Sequence, residues 1–412
     1  MTETTASPTP ASVPSTPAAP STSGTRNDPA RPRLAALDGL RFVAAFGVLL
    51  YHYAALNHHA WGQRTDEVFP DTQRWAVFGS FGVQLFFIVS GFVILMSAQG
   101  RGVRSFTASR IGRLFPAYWV SVILGVVLFA LVSPGRKQID LPEAAMNLTM
   151  VQRALGFSDV ESVYWTLWTE LRFYVLIAVL LALGGMTRNR LVAFATLWPV
   201  AGALSVEHGP QILSTVLIAA DAPLFAGGMV LCLLVRDRGS PVLWMVLAMN
   251  VALAGAYSGR IQSLRIANST DITLSPSTYW TAIVVCFAVV ALLALTPLNR
   301  ISWKWLTVLG AVTYPLYLLH SSWGRWMIEI LHPHLTATVT FILVTVTMVA
   351  LAYLVNRYVE RPLGPRLRRA VERDLDEADR RDRSAGGPRT AVTPDPSGHA
   401  GRPAPEQPAQ VG

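Results

Sequence analysis

Ten apolar stretches fill most of the chain between residues 40 and 357, at 40–56, 79–97, 116–132, 170–186, 190–206, 222–236, 241–257, 278–296, 303–321 and 336–357. Each is close to the roughly 20 residues that a helix needs to cross a bilayer. Lipid offers no partner to backbone N–H and C=O groups, so a spanning segment of this kind closes its hydrogen bonds within itself as a helix. Composition agrees: hydrophobic residues are 52% and charged residues 14%, against about 25% charged in an ordinary soluble domain. The pattern predicts an all-α, polytopic integral membrane protein with about ten transmembrane helices. The sixth stretch is short, and its approach from Gln211 to Ala220 reads as a re-entrant piece or as an extension of the helix.

Arg and Lys alternate between the loops as the positive-inside rule requires. Arg26, Arg31 and Arg33 precede the first stretch, Arg101, Arg104, Arg110 and Arg113 fill the second loop, and Arg300 and Lys304 lie in a later even loop. Odd loops are balanced by acids, as with Arg64 and Arg74 against Asp66, Glu67 and Asp71, with Arg260 and Arg265 as exceptions. The expected location is the cell membrane, multi-pass, with both termini cytoplasmic. The domain boundaries expected are a disordered tail at 1–32, a membrane domain at 33–365, and a basic then disordered tail at 366–412, because Ser, Thr, Pro and charge without apolar bulk cannot bury a core. No apolar run follows a basic start before residue 40, so no signal peptide is expected. The net charge of +9 belongs to loops and tails and gives no reason to invoke nucleic acid. Cys232 and Cys286 lie in apolar stretches without ligand spacing, so neither a metal site nor a disulfide is expected.

Ionisable residues inside spans are costly and mark function by default. The first stretch carries Asp38 and Arg41, with His52 eleven residues after Arg41. Eleven residues make about three turns and roughly 16 Å of rise, so Arg41 and His52 face the same way, with Asp38 near the same stripe. Their alternative role is polar glue between helices. Imidazole suits proton removal from a hydroxyl near neutral pH, which makes His52 the candidate base. Glu170 opens the fourth stretch and His320 closes the ninth, so both are expected near the depth of His52; Glu170 also fits a helix-start cap and His320 an interfacial packing residue. Arg110 and Arg113, three apart, share a helix face and either grip a polyphosphate at two points or simply hold the loop inside. Pro116 is expected to set a helix start, with Tyr118 and Trp119 free to pack an adenine. Gly82, Ser90 and Gly91 read as close-packing residues, and Glu360, Arg361 and Pro362 as the end of the last span.

Several of these residues fall in ordered blocks. Arg33 to Ala45 with Tyr51-His52, Gly82 to Phe92, Arg110 to Trp119, Tyr164 to Tyr174, Tyr314 to His320 and Glu360 to Pro362 together resemble acyltransferase family 3, the integral membrane acyltransferases related to O-antigen acetylases. Arg41 and His52 match the family's Arg-x10-His pair, Arg110 and Arg113 its Arg-x-x-Arg motif, and Glu170 and His320 other polar positions. Thr166 to Thr169 stands where the family often carries serines. The resemblance implies transfer of an acyl group, acetyl first, from acyl-CoA as substrate, with no bound cofactor.

The acceptor implied is a hydroxyl of a cell-envelope polysaccharide, a lipid-linked sugar or a secondary metabolite such as a macrolide. Membrane lipids are the other partners. In the expected mechanism His52 deprotonates that hydroxyl and Arg41 stabilises the oxyanion, with a covalent acyl-histidine as an open variant. The rival class is a transporter or flippase, because intramembrane His, Glu and Arg also build proton and substrate paths.

Overall fold

The computed structural model describes residues 35–184 and 186–385. The tail at 1–32 and the part of the second tail beyond residue 385 lie outside the described residues. Helices α1 (Ala35–Ala54), α2 (Gln73–Ala98), α3 (Val103–Val132), α4 (Tyr164–Ala182) and α5 (Arg188–His208) are followed by the short α6 (Ala222–Leu234). Then come α7 (Pro241–Thr270), α8 (Pro276–Leu295), α9 (Lys304–Leu331), α10 (Ala337–Val355) and α11 (Arg361–Ala385). No strand occurs among the described residues. Eight of the helices are long and apolar enough to cross a membrane, counting the run from Ala337 to Arg381 as one. The two remaining expected spans are helical but differ in kind. α6 has 13 residues, all buried, and α9 has 28 residues but carries Thr313, Tyr314, Tyr317, His320, Ser321 and Ser322 on its buried side.

Helix starts follow from short polar caps. The Thr187, Ser240, Ser275 and Thr336 hydroxyls each accept the N–H of the third residue on. Pro241 and Pro276 occupy first helical positions, where the missing N–H costs nothing. Gly209 and Pro210 end α5, and a separate short helix, Gln211–Val216, leads to Ile218 at φ 56° and so into α6. That approach is therefore a hinged connection, not a simple extension of the helix.

α6 is apolar all round and is enclosed by α2, α5, α7 and α8. Its tightest seam is reciprocal. A Cβ on Gly91 of α2 would land on the Phe225 carbonyl, and one on Gly228 would land on the Ile88 carbonyl. α1 packs against α2 and α9 in the same manner, through Gly47 with Gly79, Gly82 with the Ala44 carbonyl, and Gly310 with Asp38. Small residues let helix backbones approach where lipid supplies no hydrophobic drive. Gly82 and Gly91 thus pack as expected.

Two expected boundaries move. α3 begins at Val103, so Pro116 lies inside the helix and not at its start. The residue four before it, Gly112, is pressed against Gly364 and Arg368 of α11, and neighbouring helices of this kind tolerate a proline in a span. The helix does not stop at Glu360 to Pro362. A π-helical turn, Asn356–Glu360, passes directly into α11, and Glu360 accepts from Asn356 Nδ2 at 2.6 Å. α11 is held along α3 by Arg104, which pairs with Asp376 at 3.0 Å and Asp379 at 2.6 Å. Its own surface adds the i,i+4 pair Arg368–Glu372. The second tail, expected from residue 366, is helical as far as residue 385 because these charges are partnered.

Candidate active site

Two polar clusters lie along α1, one near each end. At the carboxyl end of α1 the His52 and His320 rings meet edge to face, 4.9 Å between centres. His320 on α9 is fully buried, and its Nδ1 faces the Tyr317 carbonyl at 2.9 Å and the Leu316 carbonyl at 3.2 Å. Those acceptors put the proton on Nδ1 and leave Nε2 as an acceptor, which is buried and has no partner. His52 Nδ1 is likewise buried and unpartnered. The backbone on both sides is pinned: Tyr53 donates to the His320 carbonyl at 2.7 Å, next to Gly324, which leaves space for the phenol. His58 Nε2 donates to the His52 carbonyl at 3.1 Å while its Nδ1 accepts from the Ala60 N–H. Burial, with the Arg325 charge nearby, pushes the His58 imidazole down to about 4, so it stays a neutral donor.

Glu170 is not with the histidines. Its Oε1 accepts from Ser90 on α2 at 2.7 Å and from Tyr174 on its own helix at 2.5 Å. With Arg41, Thr166, Tyr314 and Tyr317 it lines a cavity of about 50 Å³, walled on the apolar side by Phe86 and Phe87. Glu170 lies one and a half turns into α4, so it caps nothing, and α4 is placed such that this turn meets the middle of α2. The expectation of one depth for His52, His320 and Glu170 fails for this reason. Ser90, expected as a close-packing residue, is thus also a hydrogen-bond donor to Glu170.

Arg41 belongs to the cavity. It lies within electrostatic range of Glu170, Asp38 and Arg113, and about 16 Å of helix rise separates it from His52. An oxyanion formed at His52 is out of its reach, so the expected pairing of those two roles is corrected. Asp38 sits at the α1–α9 seam beside Gly310. Tyr317 joins the two clusters: its hydroxyl is 2.8 Å from Thr166 Oγ1 in the cavity wall, and its ring centre is 5.7 Å from that of His320.

Arg110 and Arg113 lie below the cavity on α3. The Arg110 guanidinium faces the rings of Phe106 and Tyr174 at 5.7 and 5.8 Å. Its Nη2 meets Ser109, and its Nε is buried without a partner. Arg113 lies within range of both Arg41 and Glu360. Tyr118 and Trp119 do not join them. They stand about 8 to 14 Å further along α3, Tyr118 tilted against Tyr164 at 4.9 Å between ring centres and Trp119 donating its indole N–H to the Leu148 carbonyl at 3.0 Å. Both hold the segment between α3 and α4 in place, so an adenine site beside Arg110 is not built from them.

Sequence reasoning missed Glu161, Ser322, Arg325, Tyr53, His58 and Tyr174. A loop acid before α4 reads as surface, and only the folded segment shows Glu161 buried against α9, accepting from Ser322 Oγ at 2.6 Å.

The fold and site define a polytopic helical membrane protein with a buried polar path between its helices. The acyltransferase domain model matches residues 34–357, and the chain belongs to acyltransferase family 3. Acyltransferase MdmB of Streptomyces mycarofaciens is 29% identical over 150 residues, a stretch covering 35% of this chain and 38% of that protein. No solved structure matches.

Proposed function

We propose that this acyltransferase moves an acyl group, acetyl first, from cytoplasmic acyl-CoA to a hydroxyl of a cell-envelope glycan, a lipid-linked sugar or a secondary metabolite. The carrying observation is the pairing of a buried and a half-buried imidazole, each with a buried nitrogen that has no partner, beside a cavity that holds Arg41 and Glu170. Both termini are placed in the cytoplasm on the loop charges, which sets α3's Arg110 end inside. CoA phosphates bind Arg110 and Arg113, where a buried guanidinium nitrogen still lacks a partner. The acyl-bearing arm rises past Arg41 and Glu170 toward Tyr317. His52 takes the proton of the acceptor hydroxyl as that oxygen attacks the thioester carbonyl, and the thiolate of CoA leaves and is protonated.

The test is release of free CoA from acetyl-CoA by the purified, vesicle-reconstituted chain in the presence of membrane extract. Acceptor-dependent release is expected. No release with acetyl-CoA or longer acyl-CoA donors overturns the reading.

A further inference from the structure

The segment between α3 and α4 ends in two adjacent residues, Glu161 and Ser162, that clasp two adjacent residues of α9. Ser322 Oγ donates to Glu161 Oε2 at 2.6 Å, and Ser162 Oγ lies 3.3 Å from Ser321 Oγ. Ser321 directly follows His320 and also accepts from Arg325 Nη2 at 3.3 Å. Glu161 is 1% exposed. Its space exists because α3 carries Gly125 there: a Cβ would lie 2.6 Å from Val160 Cγ1 and 3.7 Å from Glu161 Oε1.

Burying a carboxylate this fully is costly unless it is balanced. Arg325 is the cation within its range on α9, Lys137 the one in its own segment; Tyr53 of α1 and Tyr164 of α4 also face it. Arg325 in turn lies within range of His52, His58 and His320. Neither Glu161 nor Arg325 forms a direct ion pair among the described residues. The carboxylate therefore acts on the histidines through Ser322, Ser321 and the Arg325 charge, without touching them.

We propose that Glu161 is a positioning residue for the His52–His320 pair: its ionised carboxylate anchors the Ser321–Ser322 turn of α9 and balances Arg325, keeping the imidazoles placed and uncrowded by positive charge. The inference rests on the acyl-transfer reading for its kinetic consequence but not for its structural one. Burial lifts the Glu161 carboxyl to about 7, against the pull of Ser322, Arg325 and Lys137. The anionic form then predominates only above neutral pH, and the anchored state is gained as pH rises through that value.

Two readouts on the reconstituted full chain test this. The first is the pH profile of acyl transfer. The native chain should show an ascending limb near pH 7, Glu161→Gln should lose that limb and fall about tenfold above it, and Glu161→Asp should restore the limb in part. Ser322→Ala removes a hydrogen bond to the carboxylate, so it should move the limb upward by about one pH unit.

The second readout needs no acceptor: carbethoxylation of His52 and His320 by diethyl pyrocarbonate, followed by peptide mass spectrometry. Glu161→Gln, whose amide still accepts from Ser322, should change the labelling rate of the pair while leaving the distant His208 unaffected. Unaltered histidine labelling and an unaltered limb in Glu161→Gln overturn the proposal. Altered labelling in a chain that releases no CoA from any donor upholds the positioning role and removes the acyl-transfer reading alone.

Discussion

The Arg41–Glu170 cavity and the His52–His320 pair share α1 and meet through Tyr317, yet they treat their polar atoms in opposite ways. In the cavity, one carboxylate oxygen receives two hydroxyl donors, Ser90 and Tyr174. In the histidine pair, both backbones and one ring nitrogen are fixed, while His52 Nδ1 and His320 Nε2 are left buried without partners. Buried polar atoms are nearly always satisfied, so the exception carries information. A carboxylate oxygen held by two hydroxyls shapes a space, whereas an imidazole nitrogen without a partner is free to take a proton. Under the proposed function, the first region binds and the second carries the chemistry.

The strongest way to break that assignment is His52→Ala. Loss of a general base is expected to lower turnover about a hundred- to ten-thousand-fold while the protein remains inserted and abundant, as read by initial rates and by immunodetection in membranes. Turnover near the native level would move the chemistry elsewhere, and Glu170 would be the next group to examine.

Arg110→Gln/Arg113→Gln probes the entry to the cavity. Each charge-assisted contact to phosphate contributes about 1.5 to 3 kcal/mol, so the acyl-CoA concentration for half-maximal rate should rise tenfold or more while the acceptor dependence holds. Cysteine labelling on either side of α3 checks that the helix keeps its orientation. A donor dependence equal to that of the native chain, in correctly oriented protein, removes both arginines from the donor site.

Glu170 sharpens the contrast between space and chemistry. Glu170→Ala leaves the Ser90 and Tyr174 hydroxyls without their acceptor, a loss of about 1 to 3 kcal/mol, and should lower thermal stability in detergent. Glu170→Gln keeps an acceptor for both, so it should retain most stability and reduce turnover by only about tenfold, the equivalent of roughly 1.4 kcal/mol. A loss as deep as that of His52→Ala would mean that the cavity carboxylate takes part in proton transfer.

The smallest functional effect is expected at the α2–α6 seam, where Gly91 follows Ser90 but faces α6. Gly91→Ala drives a methyl group into the Phe225 carbonyl, and such overpacking costs about 1 to 3 kcal/mol of stability with turnover per folded molecule little changed. Gly239, with nothing within 4 Å of an added Cβ, serves as the control: Gly239→Ala should melt with the native chain. Equal melting of the two variants would show that the α2–α6 seam yields more readily than its geometry suggests.

Read from residues alone, the class of this protein follows from hydropathy and helical period, both of which are local. Ten apolar stretches, most of them of bilayer length, determine helices, and the cost of charge in lipid singles out Asp38, Arg41, His52, Glu170 and His320. The shared face of Arg41 and His52 is also local, since both lie on one helix. What the chain could not disclose is how far one helix slides past another. Glu170 appeared level with His52 because each stands near a span end, but α4 begins six residues earlier, and its Glu170 turn is set against Ser90 of α2.

Tyr118 and Trp119 follow Arg113 closely in sequence, yet about one and a half turns of α3 carry them away to the segment that holds Glu161. Their expected adenine site depended on a helix start at Pro116 that the packed α11 renders unnecessary. Glu161 and Arg325 were invisible because a loop acid and a span-end arginine are ordinary on a membrane protein's surface. Only tertiary structure buries them together, at the place where Gly125 leaves room. Sequence determines which polar groups lipid makes expensive, through solvation that each residue feels by itself; the depth at which they meet is decided by helix-to-helix contacts between residues far apart in the chain.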